Sequence, residues 1–244
     1  MLRDSAPRAL VEFVPDRIWI SDYDVRFMGM TIEARTTVVR LGDRGLWIHS
    51  PGPVDDAMAA QLHALGPVEQ IVAPGTFHTL FVRSFQGRYP NASVWVCPGI
   101  ETKFPELTYD HILDDHDAPP AWSGQIDQAL VRGARMIREV AFFHRDSRTL
   151  ILTDLLENLG DASGPLDWKL RLYWKHIFHM WNHPKPAPEY QMSTRDKALM
   201  RRCLERVLAW DFERVIIAHG EHITQDARQV VLDAWSKPLS YEGR

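Results

Sequence analysis

Arg214-Val215-Ile216-Ile217-Ala218-His219-Gly220 and Thr149-Leu150-Ile151-Leu152-Thr153-Asp154 are the stretches that decide the fold. Each is a short β-branched, apolar run that ends on a residue able to ligate a metal. A continuous apolar run of four to six residues suits a strand buried on both faces, as in a sheet covered by helices. In open α/β sheets, ligands gather at the C-terminal ends of strands. An Asp and a His placed there read as candidate site residues and not only as strand terminators.

Working outward, the N-terminal third reads as short strands. Residues 17–20 (Arg-Ile-Trp-Ile) and 36–41 (Thr-Thr-Val-Val-Arg-Leu) are β-rich. A Gly42-Asp43-Arg44-Gly45 turn joins the second run to Leu46-Trp47-Ile48-His49, which predicts a hairpin. Asp55 can cap a helix over residues 55–65, where Met58, Leu62 and Leu65 recur at helical spacing and Gly66-Pro67 ends the run. Residues 70–73 and 94–97 predict further strands around a weaker helix at 79–89. Residues 100–135 read as loop-rich. Strands follow at 138–143 and 149–153, joined by an Arg145-Asp146-Ser147-Arg148 turn. Helices are expected at 166–181, at 194–210 with Ser193 or Thr194 as cap, and at 224–235, with 185–188 a stiff Pro-rich loop. Strands alternating with helices predict an α/β chain.

Composition bounds the function. The chain has 244 residues, 45% hydrophobic and 25% charged, which fits one globular domain spanning 1–244. A net charge of -4 gives no electrostatic footprint for nucleic acid. Two cysteines, Cys97 and Cys203, exclude a disulfide scaffold and a cysteine-rich zinc ribbon. No apolar run is long enough for a membrane span, and residues 1–15 lack the apolar core of a signal peptide, so a cytoplasmic location is the expectation. No phosphate-cradling glycine pattern and no nucleophile-elbow serine is present.

Three residues just past strand ends stand out: His78, Asp154 and His219. Two imidazoles and a carboxylate suit one divalent metal with an open position for water, most simply zinc, with iron or manganese as alternatives. Zinc lowers the pKa of bound water to about 7, which makes hydroxide available at neutral pH. The bland reading of any one of them is a cap or a loop hydrogen bond. Glu157 and His222 lie near Asp154 and His219 in sequence and are candidates for orienting them; surface roles are the plainer alternative. Glu139 is either a fourth oxygen ligand or a sheet-edge carboxylate paired to Arg138 or Arg148. His176, His179 and His183, at spacings of three and four, fall on one face of the expected helix among Trp174, Phe178 and Trp181. That segment, about 160–192, reads as an amphipathic cover with half-exposed histidines, as a lid contributing His176 and His179 to a pocket, or as a metal or membrane-surface element.

The order of these elements resembles the metallo-β-lactamase superfamily over most of the chain. Residues 149–154 resemble the family segment whose Asp bridges two metals. Residues 216–220 resemble the segment bearing its last His ligand, and Leu46-Trp47-Ile48-His49-Ser50-Pro51-Gly52 its strand-Asp-Thr-Gly corner, with Ser50 where an Asp is usual. The resemblance implies an αββα sandwich with mixed sheets and hydrolysis of a small ester, amide or phosphodiester. The signature His-x-His-x-Asp-His loop reads here Ala73-Pro74-Gly75-Thr76-Phe77-His78, so only its last His remains. The middle His ligand has no clear counterpart; His144 and Glu139 lie in that region without the usual Gly-His context. The pattern is that of an uncharacterised branch of the superfamily. It leaves two readings: a hydrolase with a reduced, mononuclear site at His78, Asp154 and His219, or a non-catalytic, metal-free protein that binds a small molecule on the same fold.

Overall fold

The computed structural model describes residues 6–42, 44–115, 117–163 and 167–241. Asp43 of the expected turn, Leu166 at the start of the expected cover helix, and residues 1–5 lie outside them. The chain divides into two compact units, residues 1–113 and 114–244.

The first unit is built on a sheet whose strands follow chain order: β1 (Val11–Val14), β2 (Ile18–Phe27), β3 (Met30–Arg40), β4 (Leu46–His49), β5 (Val68–Ala73), β6 (Ser93–Val96) and β7 (His111–Ile112). Its first half is an antiparallel meander. β2 and β3 run the full register from Ile18↔Val39 to Phe27↔Met30, longer than their apolar runs alone predict. The extension is polar but cross-linked: Arg35, almost fully buried, pairs with Asp22 at 2.6 Å. Its second half is parallel, because α1 (Asp56–Leu65) and α2 (Val82–Arg88) carry the chain back between strands. The Asp55 carboxylate accepts the Met58 N–H at 2.8 Å, the cap expected from sequence. Trp47, Ile48, Ile71, Val72, Val94 and Val96 are buried. A short helix, α3 (Ile100–Lys103), follows β6.

The second unit holds a smaller sheet in the order β11 (Arg214–Ile216), β10 (Thr149–Ile151), β9 (Glu139–His144), β8 (Ile126–Val131). β8 lies inside the stretch expected to be loop. Its sequence, Ile-Asp-Gln-Ala-Leu-Val, is nearly all buried and takes its strand character from pairing along the whole of β9. β9 and β10 are antiparallel; β10 and β11 are parallel, with Ile151 beside Ile216.

The helices of this unit depart from expectation at their ends. The cover helix, α4 (Trp168–His176), stops at His176. Ile177 caps it, and His179 takes a left-handed backbone (φ 52°), so the chain turns away before His183. The three histidines therefore do not share one helix face. Residues Pro188–Ser193, of which only Pro188 fell in the expected loop, form α5, with Pro at its first turn where the missing N–H costs nothing. α6 (Lys197–Leu208) is capped by the Asp196 carboxylate on Leu199 N–H (2.9 Å), not by Ser193 or Thr194. It buries Met200, Cys203, Leu204, Val207 and Leu208. α7 (Ala227–Ala234) and α8 (Ser236–Leu239) close the chain. No helix among the described residues is long and apolar enough to cross a membrane.

Candidate metal centre

In the second unit, the parallel pairing of β10 and β11 brings their C-terminal ends side by side. The ladder continues one step past β10, with Leu152 N–H donating to the carbonyl of Ile216, the last residue of β11, at 2.9 Å. Asp154 and His219 then leave the sheet at the same edge. His219 Nε2 lies 3.4 Å from Asp154 Oδ1, and both residues are buried.

The backbone stitches these two segments together. Asn158 N–H donates to the His219 carbonyl (3.1 Å), and Glu221 N–H returns to the Asn158 carbonyl (3.0 Å). Gly220, at φ 94°, makes this possible: a Cβ there would stand 2.1 Å from the Asn158 carbonyl oxygen. The Asp154 carbonyl accepts Ala187 N–H at 2.8 Å, and the indole N–H of fully buried Trp235 donates to the Leu155 carbonyl at 2.8 Å. Asp154 thus sits on a loop tied down on several sides.

Glu139, the first residue of β9, fixes that loop from beneath. It is fully buried, on a strand flanked by β8 and β10, so it is no sheet-edge carboxylate; Arg148 pairs instead with Asp211 and Glu213. Its oxygens accept the backbone N–H groups of Thr153, Asp154 (2.7 Å) and Leu155 (2.9 Å). Those bonds engage both of its oxygens and make it a support for the Asp154 loop. Burial, with the nearby Asp154 charge, pushes its carboxyl up to about 8. His144 stands five residues further along β9, about 17 Å away, and bonds Ser147 at 2.7 Å.

Glu157 is buried beside the pair. Trp174 of α4 donates its indole N–H to Glu157 Oε2 at 2.9 Å. Burial raises its carboxyl to about 8, a shift opposed by His219 and reinforced by Asp154. His222 is half-buried on the return segment whose Ile223 pairs with Val215 of β11. His176 and His179 are both exposed; what α4 contributes to the buried cluster is Trp174.

In the first unit, His78 follows the loop after β5, where its N–H closes a turn on the Gly75 carbonyl (3.0 Å). Its Nδ1 lies 2.7 Å from the Ser50 hydroxyl, just past the end of β4. Ser50 is buried and left-handed (φ 53°). Its carbonyl accepts the Thr36 hydroxyl at 3.1 Å, and the buried Tyr23 hydroxyl is hydrogen-bonded to both Ser50 and Thr36. Burial pushes the Tyr23 phenol well above its ordinary value. His49, stacked on Trp47 at 5.5 Å, is held well below the usual imidazole range by burial and by His78. Phe77 packs edge-on to Phe27 (6.0 Å) and under the Lys103 ammonium (3.8 Å).

The donor set suits a divalent ion. Two ligand atoms each about 2.1 Å from a tetrahedral ion stand ~3.4 Å apart, the separation found between Asp154 Oδ1 and His219 Nε2.

An antiparallel-then-parallel sheet, a second mixed sheet and strand-end His and Asp residues define an α/β sandwich of the metallo-β-lactamase kind. Solved structures agree over the whole chain. A metallo-β-lactamase from Pontibacter korlensis is 13% identical, with TM-score 0.63 over 99% of this chain and 100% of its own. One from Erythrobacter litoralis is 14% identical, with TM-score 0.65 over 93% and 96%. FIM-1 from Pseudomonas aeruginosa, in its mono-zinc form, is 10% identical, with TM-score 0.63 over 97% and 98%. The likeness is one of fold. The chain belongs to the family described as Domain of unknown function (DUF4336), which it matches over residues 15–187. No curated protein matches it in sequence.

Proposed function

We propose that this chain is a metal-dependent hydrolase with a single-ion site, held by His78, Asp154 and His219, that acts on a small ester, amide or phosphodiester. The observation that carries the reading is the 3.4 Å approach of Asp154 Oδ1 and His219 Nε2 at the shared edge of β10 and β11. Two further features support it. Asp154 and His219 are both buried, on segments of the second unit that backbone hydrogen bonds tie together. A structural neighbour of the same fold, FIM-1, was solved in a mono-zinc form.

A divalent metal supplies Lewis acidity and lowers the pKa of the water it binds. The chain's own residues do the rest. Asp154 offers an anionic oxygen, and Glu139 fixes its loop through three backbone bonds. Glu157, held by Trp174, sets the polarity behind His219. The described residues between 160 and 192 are the substrate-side cover in this reading, and their own Trp174, Met180 and Trp181 are buried. The chain lacks most of the signature-loop ligands, which favours one ion over two.

The alternative is a metal-free binding protein on the same fold, and the loop sequence Ala73–Phe77 is its support. The test is metal content by elemental mass spectrometry, on protein purified without a histidine tag, beside His78→Ala and His219→Ala. About one zinc, iron or manganese per chain, lost in both variants, is the expected result. No metal after soaking in excess zinc leaves the metal-free alternative.

A further inference from the structure

We propose that the outer face of α4 docks the chain on an anionic membrane surface. Exposed apolar side chains gather there. Of the ten large ones exposed among the described residues, four fall within residues 168–177: Trp168 (70% exposed), Leu172 (48%), Tyr173 (42%) and Ile177 (55%). Apolar residues exposed singly are ordinary, whereas a contiguous cluster marks a surface that meets a partner.

α4 has two ridges, each set by a spacing of four. Leu170 and Trp174 form the inner ridge and are buried. They seat the helix: the Trp174 indole N–H donates to Glu157, and the Trp174 carbonyl accepts the Met180 N–H at 2.7 Å. Trp168 and Leu172 form the outer ridge, which exposed His176 continues. The inner ridge holds the helix in place, and the outer one is left facing solvent.

Cations border the outer ridge on both flanks. Arg171 and Lys175, three residues after Trp168 and Leu172, stand on one side, and Lys169 stands on the other. All three are exposed. Arg171 is shared with Asp161 (3.6 Å) and the Trp181 ring (5.2 Å), so Lys169 and Lys175 carry the charge of the patch. The Lys169 ammonium lies 5.8 Å from the Trp168 ring centre. Asp167 is used as the helix cap, accepting the Lys169 N–H at 2.8 Å. From 168 to 188 the chain has no acidic residue, although its net charge is -4.

This combination selects the partner. Trp and Tyr rings collect at the boundary between lipid headgroups and acyl chains. Lysines lay their methylene stems along that boundary and reach the headgroup phosphates with their ammonium groups. A second copy of the chain, docked ridge to ridge, would set Lys169 and Lys175 against their own counterparts. α4 has nine residues, so the attachment is reversible and needs both its apolar and its charged part. The helix then faces lipid with one ridge and the buried Glu157 with the other, independently of any metal at the candidate centre.

The test is sedimentation of the full-length chain with vesicles, either phosphatidylcholine alone or equal parts phosphatidylcholine and phosphatidylserine. At low salt the chain is expected to bind the mixed vesicles about 30-fold more tightly than phosphatidylcholine, and to be released at about 1 M salt, where screening shortens to ~3 Å. Lys169→Gln with Lys175→Gln is expected to weaken binding to mixed vesicles about 30-fold, and Trp168→Ser with Leu172→Ser about tenfold or more. Both pairs replace exposed side chains, so the far-UV circular dichroism should stay unchanged. Lipid brominated on its acyl chains is expected to quench part of the wild-type tryptophan fluorescence, and Trp168→Phe to remove that part. A chain left in the supernatant with mixed vesicles at low salt overturns the proposal, as does binding unmoved by either double variant. A loss as large in Lys237→Gln, at an exposed lysine of α8, would trace binding to diffuse charge and overturn it too. A wild-type dimer that Trp168→Ser with Leu172→Ser splits, without vesicle binding, would assign the patch to a second copy instead.

Discussion

Glu139 Oε2 accepts the backbone N–H of Asp154 at 2.7 Å, and this bond ties the base of β9 to the loop that carries the candidate ligand. The same carboxylate holds Thr153 and Leu155. Removing it strands three buried N–H groups at about 1–3 kcal/mol each. Glu139→Ala is therefore expected to lower unfolding free energy by more than about 3 kcal/mol, and Glu139→Gln, which keeps one acceptor oxygen, by less. Urea denaturation of the metal-free protein checks this. Equal losses in the two variants would show that side-chain volume, not hydrogen bonding, is what the site needs.

The two buried carboxyls give stability a pH dependence whose sign is fixed. Glu139 and Glu157 both stand near 8 in the folded chain, against 4.5 when free. Below about 4.5 they are protonated in both states and cost nothing. As pH rises toward 8, the unfolded chain releases these protons first, so stability falls across that window. Each group contributes a slope of about 1.4 kcal/mol per pH unit. In metal-free protein, Glu157→Gln should remove about one proton from the measured linkage. A stability profile parallel to wild type between pH 5 and 8, which are about the bounds set by those values, would contradict it.

Trp174 is the contribution of α4 to the buried cluster. Trp174→Phe keeps most of the ring and deletes the N–H that Glu157 Oε2 accepts at 2.9 Å. The expected cost is about 1–3 kcal/mol, with the Glu157 carboxyl pushed still higher, because the lost bond favoured its charged form. Thermal unfolding and carboxyl-carbon NMR titration measure the two effects. Substituting exposed His176 or His179 by Ala should change neither.

Gly52 sits against the Tyr23 ring and Thr36. Gly52→Ala is expected to destabilise by about 1–3 kcal/mol through overpacking. It should also perturb the His78 ring signals, because the Thr36 hydroxyl bonds the carbonyl of Ser50, whose hydroxyl bonds His78 Nδ1. A fully stable variant with unchanged His78 signals would show that the backbone there gives way freely.

Asp154→Asn keeps the shape of the side chain and removes its charge. Metal affinity is expected to fall by about tenfold or more, measured by competition with a chelator, with the fold retained because the loop is held through its backbone. Unchanged affinity would remove Asp154 from the ligand set.

The sequence by itself determined where the buried strands lie, though it carried β10 and β11 two residues too far. Apolar runs of β-branched residues announce β4, β5, β10 and β11, and the residues that follow them, His78, Asp154 and His219, are local facts of the chain. The Asp55 cap and the end of α1 at Gly66 were equally legible, because caps act over three or four residues. Tertiary structure decided what depends on distant neighbours. β8 became a strand because β9 pairs along its length. The periodicity that put His176, His179 and His183 on one helix face carries no information on where packing ends a helix, and α4 ends at His176. Glu139 read as a ligand or an edge charge because nothing local shows that Thr153, Asp154 and Leu155 turn their N–H groups onto it. Ser50 read as a departure from a motif, and its bond to His78, 28 residues away, exists only once register and a left-handed backbone bring the two together. Periodicity and caps are properties of neighbouring residues, whereas hydrogen bonds between remote side chains are properties of the folded chain alone.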